Sequence, residues 1–220
     1  MKKSILRIRY LLGILLIILC VTVANAQRKG AENFSVVKHV PQNPEDISPL
    51  LVGERVPDAI LLNAMGHPVD LSKLISEKPT ILIFYRGGWC PYCSRQLSGL
   101  QEIWEDLQKI GYQLVAISTD KPAKLSESSS EGHLKYTLLS DADLTLSKKF
   151  GIAYKSPRRY EEILNQTTDF KNVELLLPVP SVFVLNRKGT IYFEYINVDI
   201  TQRLNPEILK AVSQSLIAEL

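Results

Sequence analysis

Hydrophobic positions along this chain fall into two periodicities. Short unbroken apolar runs, Ile81 to Tyr85, Leu114 to Ile117 within the segment Tyr112–Ser118, and Val182 to Leu185, have the length and β-favouring composition of buried strands. Helical spacing replaces them where Leu97, Leu100, Ile103, Trp104 and Leu107 recur every three or four residues up to the stop at Gly111. The same spacing returns in Ile208, Leu209, Val212 and Leu216, behind Asn205 as cap and Pro206 at the first helical position. Residues 56–71, reversed at Ala64-Met-Gly66, predict a hairpin, and Asn186-Arg-Lys-Gly189 turns a second one into the strand 190–196. Between these lie a helical turn over 71–75, a boundary at Pro79, and a polar helix or loop over 121–132. A short helix over 141–150 is capped by Asp141 or Asp143 and stopped by Gly151. The charged stretch 155–176 reads as a solvated surface insertion, with Tyr160, Ile163 and Leu164 as its apolar contacts. Strand, helix and strand over residues 80–118 make a βαβ unit, which implies parallel pairing and an α/β architecture.

The amino terminus obeys a different rule. Lys2, Lys3, Arg7 and Arg9 precede an apolar run from Tyr10 to Val23, and Ala24-Asn-Ala26 offers a small-residue cleavage site. That order predicts an export signal over 1–26 and a periplasmic or other extracytoplasmic location. The run is short for a bilayer-spanning helix of roughly 20 residues, so no stable membrane insertion is expected after cleavage. Cys20 raises lipidation as an alternative, against which stands the bulky Leu19 before it. Residues 27–46, polar and carrying Pro41 and Pro44, read as a flexible leader, and 47–220 as one domain. The formal charge of +3 belongs to the signal. Without its four basic residues the chain holds 22 basic and 23 acidic side chains, which gives no support for nucleic-acid or membrane-surface binding.

The remaining two of the three cysteines stand in Trp89-Cys-Pro-Tyr-Cys93, directly after the apolar run and the Arg86-Gly-Gly88 turn. This places a dithiol at a helix N-terminus, where free amides and the helix dipole stabilise a thiolate and lower its pKa from about 8.5. Pro91 suits the first helical turn, since its missing N–H would have had no helical partner. A structural disulfide and half of a zinc site are the alternatives. A four-cysteine zinc site needs a second pair, which the sequence lacks, and His39, His67 and His133 have no metal-like spacing. No metal or other cofactor is expected beyond the cysteines. Trp89 and Tyr92 flank the pair as its apolar rim.

The active-site stretch resembles that of the thioredoxin-like superfamily, and within it the peroxiredoxin (alkyl hydroperoxide reductase and thiol-specific antioxidant) family. Val52-Gly-Glu-Arg-Val-Pro-Asp58, Leu138-Leu-Ser-Asp141 and Phe150-Gly-Ile152 are similar to further stations of that family, over about residues 47–200. The resemblance implies a thioredoxin-like fold, a central mixed β-sheet flanked by helices. Aligned on Phe84-Tyr85, Cys93 falls where peroxiredoxins carry the peroxidatic cysteine and Cys90 where they carry a threonine. Aligned on Trp89-Cys90, Cys90 matches the attacking cysteine of thioredoxins. The superfamily also implies a cis-proline facing the dithiol at Pro180. The chain departs from the peroxiredoxin pattern at Arg86, where that family has proline, and at Val179-Pro-Ser181, where it has an arginine. Arg86 and Arg95 are the cations expected to substitute near a thiolate.

Three functions follow from these readings. The first is an exported thiol–disulfide oxidoreductase, in which Cys90 and Cys93 cycle between dithiol and disulfide, drawing on a thiol electron donor and acting on protein or small-molecule disulfides. The second is a thiol peroxidase acting on peroxides, with Cys93 or Cys90 oxidised to sulfenic acid. The third is a binding module whose dithiol senses redox state.

Overall fold

The computed structural model describes residues 40–220. The expected export signal over 1–26, Cys20 and the leader as far as residue 39 lie outside the described residues. The three apolar runs become the centre of a seven-stranded mixed sheet. In chain order its strands are β1 (Ile60–Asn63), β2 (Pro68–Asp70), β3 (Thr80–Tyr85), β4 (Gln113–Ser118), β5 (Thr137–Ser140), β8 (Ser181–Leu185) and β9 (Ile191–Ile196). In space the order is β2-β1-β5-β4-β3-β8-β9. β3 pairs in parallel with β4, Thr80 opposite Gln113 through Tyr85 opposite Ser118, and β4 with β5. The other pairings are antiparallel. A separate two-stranded ribbon joins β6 (Ala153–Lys155) to β7 (Leu176–Pro178).

Burial on both faces explains why β3, β4 and β8 read as continuous apolar runs rather than as alternation. Ile81, Ile83 and Tyr85 point to one face with Leu114, Ala116, Val182 and Val184. There they meet Cys93, Leu97, Leu100, Ile103 and Leu107 of helix α2 (Pro91–Lys109) and Leu209 of α6 (Pro206–Leu216). Leu82, Phe84, Val115, Ile117 and Phe183 point to the other face, against Leu71 and Ile75 of α1 (Leu71–Glu77) and Leu146 of α4 (Thr145–Lys149). Phe84, Phe150 and Phe183 stack there with ring centroids 4.6–6.1 Å apart. Each such side chain contributes about 1.5–3 kcal/mol on burial, so the central strand is fixed from both sides. The polar stretch after β4 forms α3 (Pro122–Glu131), and the charged insertion contains α5 (Glu161–Thr167).

Local signals act where the sequence places them. Asn205 Oδ1 accepts from Glu207 N–H at 2.8 Å at the head of α6. The N-cap position of the short helix α4 is Leu144, and both expected candidates serve its first turn: the buried Asp141 carboxylate accepts from Leu146 and Ser147 N–H at 2.9 and 2.8 Å, and Asp143 Oδ1 from Thr145 N–H at 3.0 Å. Two expectations are corrected. The leader is not loose over 40–46, because Pro41 O accepts from Lys155 N–H at 2.8 Å and Pro44–Asp46 forms a 3-10 turn. Ile208, assigned to the buried face of α6, is 55% exposed, because Leu209 and Ser213 carry the contact instead. Among the described residues no helix is long and apolar enough to cross a membrane.

Candidate active site

The site is assembled where β3 stops. Tyr85 ends the strand, Gly87 turns the chain at φ +154°, and Cys90 N–H closes the turn onto Gly87 O at 3.2 Å. Cys90 is the N-cap of α2, with extended backbone, and its carbonyl accepts from Cys93 and Ser94 N–H at 2.9 and 3.0 Å. Pro91 occupies the first helical position as expected. Ser94 Oγ reaches back to Gly88 O at 3.0 Å and Asp120 Oδ2 accepts from Gly88 N–H at 2.7 Å. The turn is therefore tied to its own helix on one side and to the end of β4 on the other.

Both cysteines are free thiols and both are buried, Cys90 at 2% exposure and Cys93 fully. Each has an arginine. Arg86 Nη1 points at Cys90 Sγ from 3.9 Å, and Arg203 Nη2 donates to Cys93 Sγ at 3.5 Å. The two sulfurs are also neighbours, and each shifts the ionisation of the other. The Cys93 thiol, donating to Cys90, pulls the Cys90 pKa down to about 5, and the Cys93 backbone N–H, Arg86 and Arg203 add to this against the cost of burial. Burial pushes Cys93 the other way, well above the usual thiol range, and the hydrogen bond to Cys90 acts in the same direction. The resting pair is thus a Cys90 thiolate beside a protonated Cys93, with the negative charge at the helix N-terminus.

Arg86 is a buried cation, 1% exposed, and its Nε and Nη2 have no hydrogen-bond partner among the described residues. Aromatic faces take their place. The guanidinium carbon lies 4.9 Å from the Trp89 ring centroid and 4.3 Å from that of Tyr160, and the two rings are 5.4 Å apart. Such contacts contribute about 0.5–2 kcal/mol each when desolvated. The insertion expected to be a solvated surface helix therefore supplies, through Tyr160, one side of the cage around the active-site arginine.

The expected site residues are distributed as follows. Cys90, Cys93, Arg86 and Trp89 are brought together, and Tyr92 packs half-buried against the same core cluster. Arg95 is not part of the site: it lies on the exposed side of α2, and neither sulfur receives a hydrogen bond from it. The cis-proline is also corrected, since no peptide bond among the described residues is cis. Val179 N–H bonds Ile152 O at 2.9 Å and Ser181 pairs with Ile196, so the backbone is held on both sides of Pro180 in the trans form. Pro180 itself is buried. Arg203 carried no sequence signal; it comes from the loop between β9 and α6, where Ile200 O and Gln202 O fix its Nη1 at 2.6 and 2.7 Å.

A parallel βαβ core with a dithiol at the head of its central helix defines a thioredoxin-like oxidoreductase. The AhpC/TSA family matches residues 52–194, and the chain belongs to that family, that of the peroxiredoxins. Peroxiredoxin Bcp of Escherichia coli is 34% identical over 106 residues, covering 48% of this chain and 67% of its own. Among solved structures, peroxidoxin BcpB of Mycobacterium tuberculosis superposes with a TM-score of 0.61 at 22% identity, over 76% of this chain and 96% of that one. Reduced Prx3 of Vibrio vulnificus, solved in complex with hydrogen peroxide, gives 0.62 at 15% identity, over 75% and 96%. These two structural likenesses establish the thioredoxin-like fold.

Proposed function

We propose that this protein is a thiol peroxidase that uses the Cys90/Cys93 pair for both halves of its oxidative cycle. The observation that carries the reading is the pair itself: two reduced sulfurs, each facing an arginine, in a chain of the peroxiredoxin family. Family membership moves peroxide reduction ahead of disulfide exchange, which the dithiol and the departures from the peroxiredoxin pattern at Arg86 and Val179-Pro-Ser181 place first. The name of the Vibrio vulnificus neighbour, which records bound hydrogen peroxide, supports the same substrate class.

The chemistry follows from the charge distribution. The Cys90 thiolate attacks one oxygen of a hydroperoxide, the S–O bond forms and the O–O bond breaks. Cys90 becomes a sulfenic acid, and the departing alkoxide or hydroxide takes the Cys93 proton. Arg86 and Arg203 stabilise the negative charge as it moves from sulfur to oxygen. Deprotonated Cys93 then attacks the Cys90 sulfur, forming the disulfide and expelling hydroxide, which is protonated by solvent. An external thiol restores both sulfurs. This assignment makes Cys90 the attacking sulfur, on the grounds of its lower pKa and its slightly greater exposure. The register with Phe84-Tyr85 favours Cys93, and the Arg203 contact is the structural observation on that side.

The variant Cys93→Ser separates these assignments. One equivalent of hydrogen peroxide is expected to leave a lasting sulfenic acid on Cys90, trapped by dimedone and located by peptide mass spectrometry. A Cys90→Ser protein that instead forms the sulfenic acid on Cys93 would reverse the roles, and no trapping in either variant would remove the peroxidase reading.

A further inference from the structure

A cavity of about 240 Å³ opens beside the active-site turn, between α3 and α5, with Gly88 and Trp89 in its wall. Asp120 lines it, 1% exposed. One of its oxygens accepts from Gly88 N–H, and the other, Oδ1, has no partner among the described residues. A buried carboxylate oxygen without a donor is destabilising, so the cavity presents an unmet demand for a hydrogen-bond donor. Burial lifts the Asp120 pKa to about 6, with Gly88 N–H opposing, which leaves the group largely ionised at neutral pH. Lys124 in the lining opposes this charge in part, and Glu127 and Glu131 outweigh it. Lys124 is paired with Glu127 at 2.6 Å, and Glu131 has no ion-pair partner among the described residues. Trp89 Nε1, also unpartnered, offers a donor to any acceptor on the same guest. No group of three potential metal ligands gathers among the described residues, so the donor set fits an organic cation better than a metal ion. The volume lies below the roughly 300–1,000 Å³ of drug-sized sites, which suits a guest of a few heavy atoms rather than a peptide segment.

We propose that this cavity is a primary-ammonium subsite for the small thiol that reduces the Cys90–Cys93 disulfide. The ammonium group donates to Asp120 Oδ1 beside Glu131, and the thiol extends along Gly88 and Trp89 toward Cys90. The thiolate of the guest attacks Cys90 Sγ, forming a mixed disulfide and releasing Cys93 as a thiolate that takes up a proton. A second thiol molecule attacks the mixed disulfide, leaves as the small-molecule disulfide and returns Cys90 to the thiolate. The reductant role rests on the dithiol cycle proposed above, whereas ammonium binding does not.

Two measurements on the full chain test the two parts separately. Calorimetric titration of the reduced protein with ethylammonium chloride is expected to show saturable one-site binding, absent with acetate. Asp120→Asn, which keeps an oxygen for Gly88 N–H, is expected to weaken it about tenfold. The exposed Glu131→Gln weakens it by a smaller factor without risk to the fold. No binding to the wild-type protein would overturn the proposal outright. In the second measurement the disulfide is formed with diamide, so peroxide chemistry plays no part, and its reduction is followed at increasing thiol. The concentration of cysteamine giving half-maximal rate is expected to be about tenfold below that of 2-mercaptoethanol, a preference that Glu131→Gln narrows. Ammonium binding with no preference for cysteamine would overturn the reductant assignment. If Nα-acetyl-lysine amide then bound as well as ethylammonium, the guest would be a lysine side chain of a protein partner.

Discussion

Cys90→Ser is expected to lower peroxide turnover by a factor on the order of a thousand or more, to the level of an unassisted thiol. The expectation rests on where the negative charge resides. Cys90 is the cap of α2, it receives the Cys93 hydrogen bond, and Arg86 and Arg203 both lower its pKa. Serine at this position keeps the shape and loses the anion, because a hydroxyl is not ionised by such surroundings. Cys93 does not replace it, since burial alone holds its thiol protonated and covered, even without the raising effect of the Cys90 anion. Peroxide consumption coupled to a thiol reductant reads the effect. A variant retaining more than a tenth of the wild-type rate would show that the attacking sulfur is Cys93.

Gly87→Ala carries the second large effect, although it touches neither sulfur. At φ +154° an L side chain is strained. An added Cβ would also fall against Trp89 Nε1 and lie 2.8 Å from Asp120 Oδ1. Trp89 forms one face of the Arg86 cage and Asp120 anchors Gly88, so relief of either contact moves the turn that aims Cys90. The substitution is expected to destabilise the fold by about 1–3 kcal/mol and to raise the Cys90 pKa, with peroxide turnover down about tenfold or more. Gly66→Ala provides the comparison. Gly66 is also at positive φ, +80°, but an added Cβ there meets nothing within 4 Å, so it loses stability without losing activity. Equal effects of the two substitutions on activity would mean that the turn geometry does not govern the site.

The parts of this protein legible in sequence are those whose cause is local. The apolar run 81–85 becomes β3 because both of its faces are covered, and the spacing from Leu97 to Leu107 becomes the buried stripe of α2. Asn205 and Pro206 mark the start of α6 by their own chemistry. The dithiol was legible for the same reason, since strand, glycine turn and Cys-Pro-Tyr-Cys lie in one stretch. What stayed hidden is tertiary. Arg203 reaches Cys93 from a loop 110 residues further on, with two backbone carbonyls setting its direction and no motif announcing it. Arg95, nearer in sequence, points outward, because helical geometry carries residues 93 and 95 to different faces. The insertion around Tyr160 looked solvated because its charges outnumber its apolar residues, and its one aromatic contact with Arg86 has no local signature. Pro180 was assigned by superfamily position, whereas its isomer depends on how the flanking backbone is held.

Attack on peroxide is assigned above to the Cys90 thiolate, which forms as pH rises through about 5. The most direct test is the single-turnover oxidation of reduced protein by hydrogen peroxide, followed by stopped flow across pH. The Cys90 pKa is depressed, so the reactive form is present above its midpoint and is lost as pH falls through it. The rate is expected to rise through about pH 5 and to stay level through neutrality, well above that of a free thiol, with a Cys90–Cys93 disulfide as product. A rate that climbs only toward the ordinary thiol pKa of about 8.5, or one no faster than a free thiol at every pH, would contradict it.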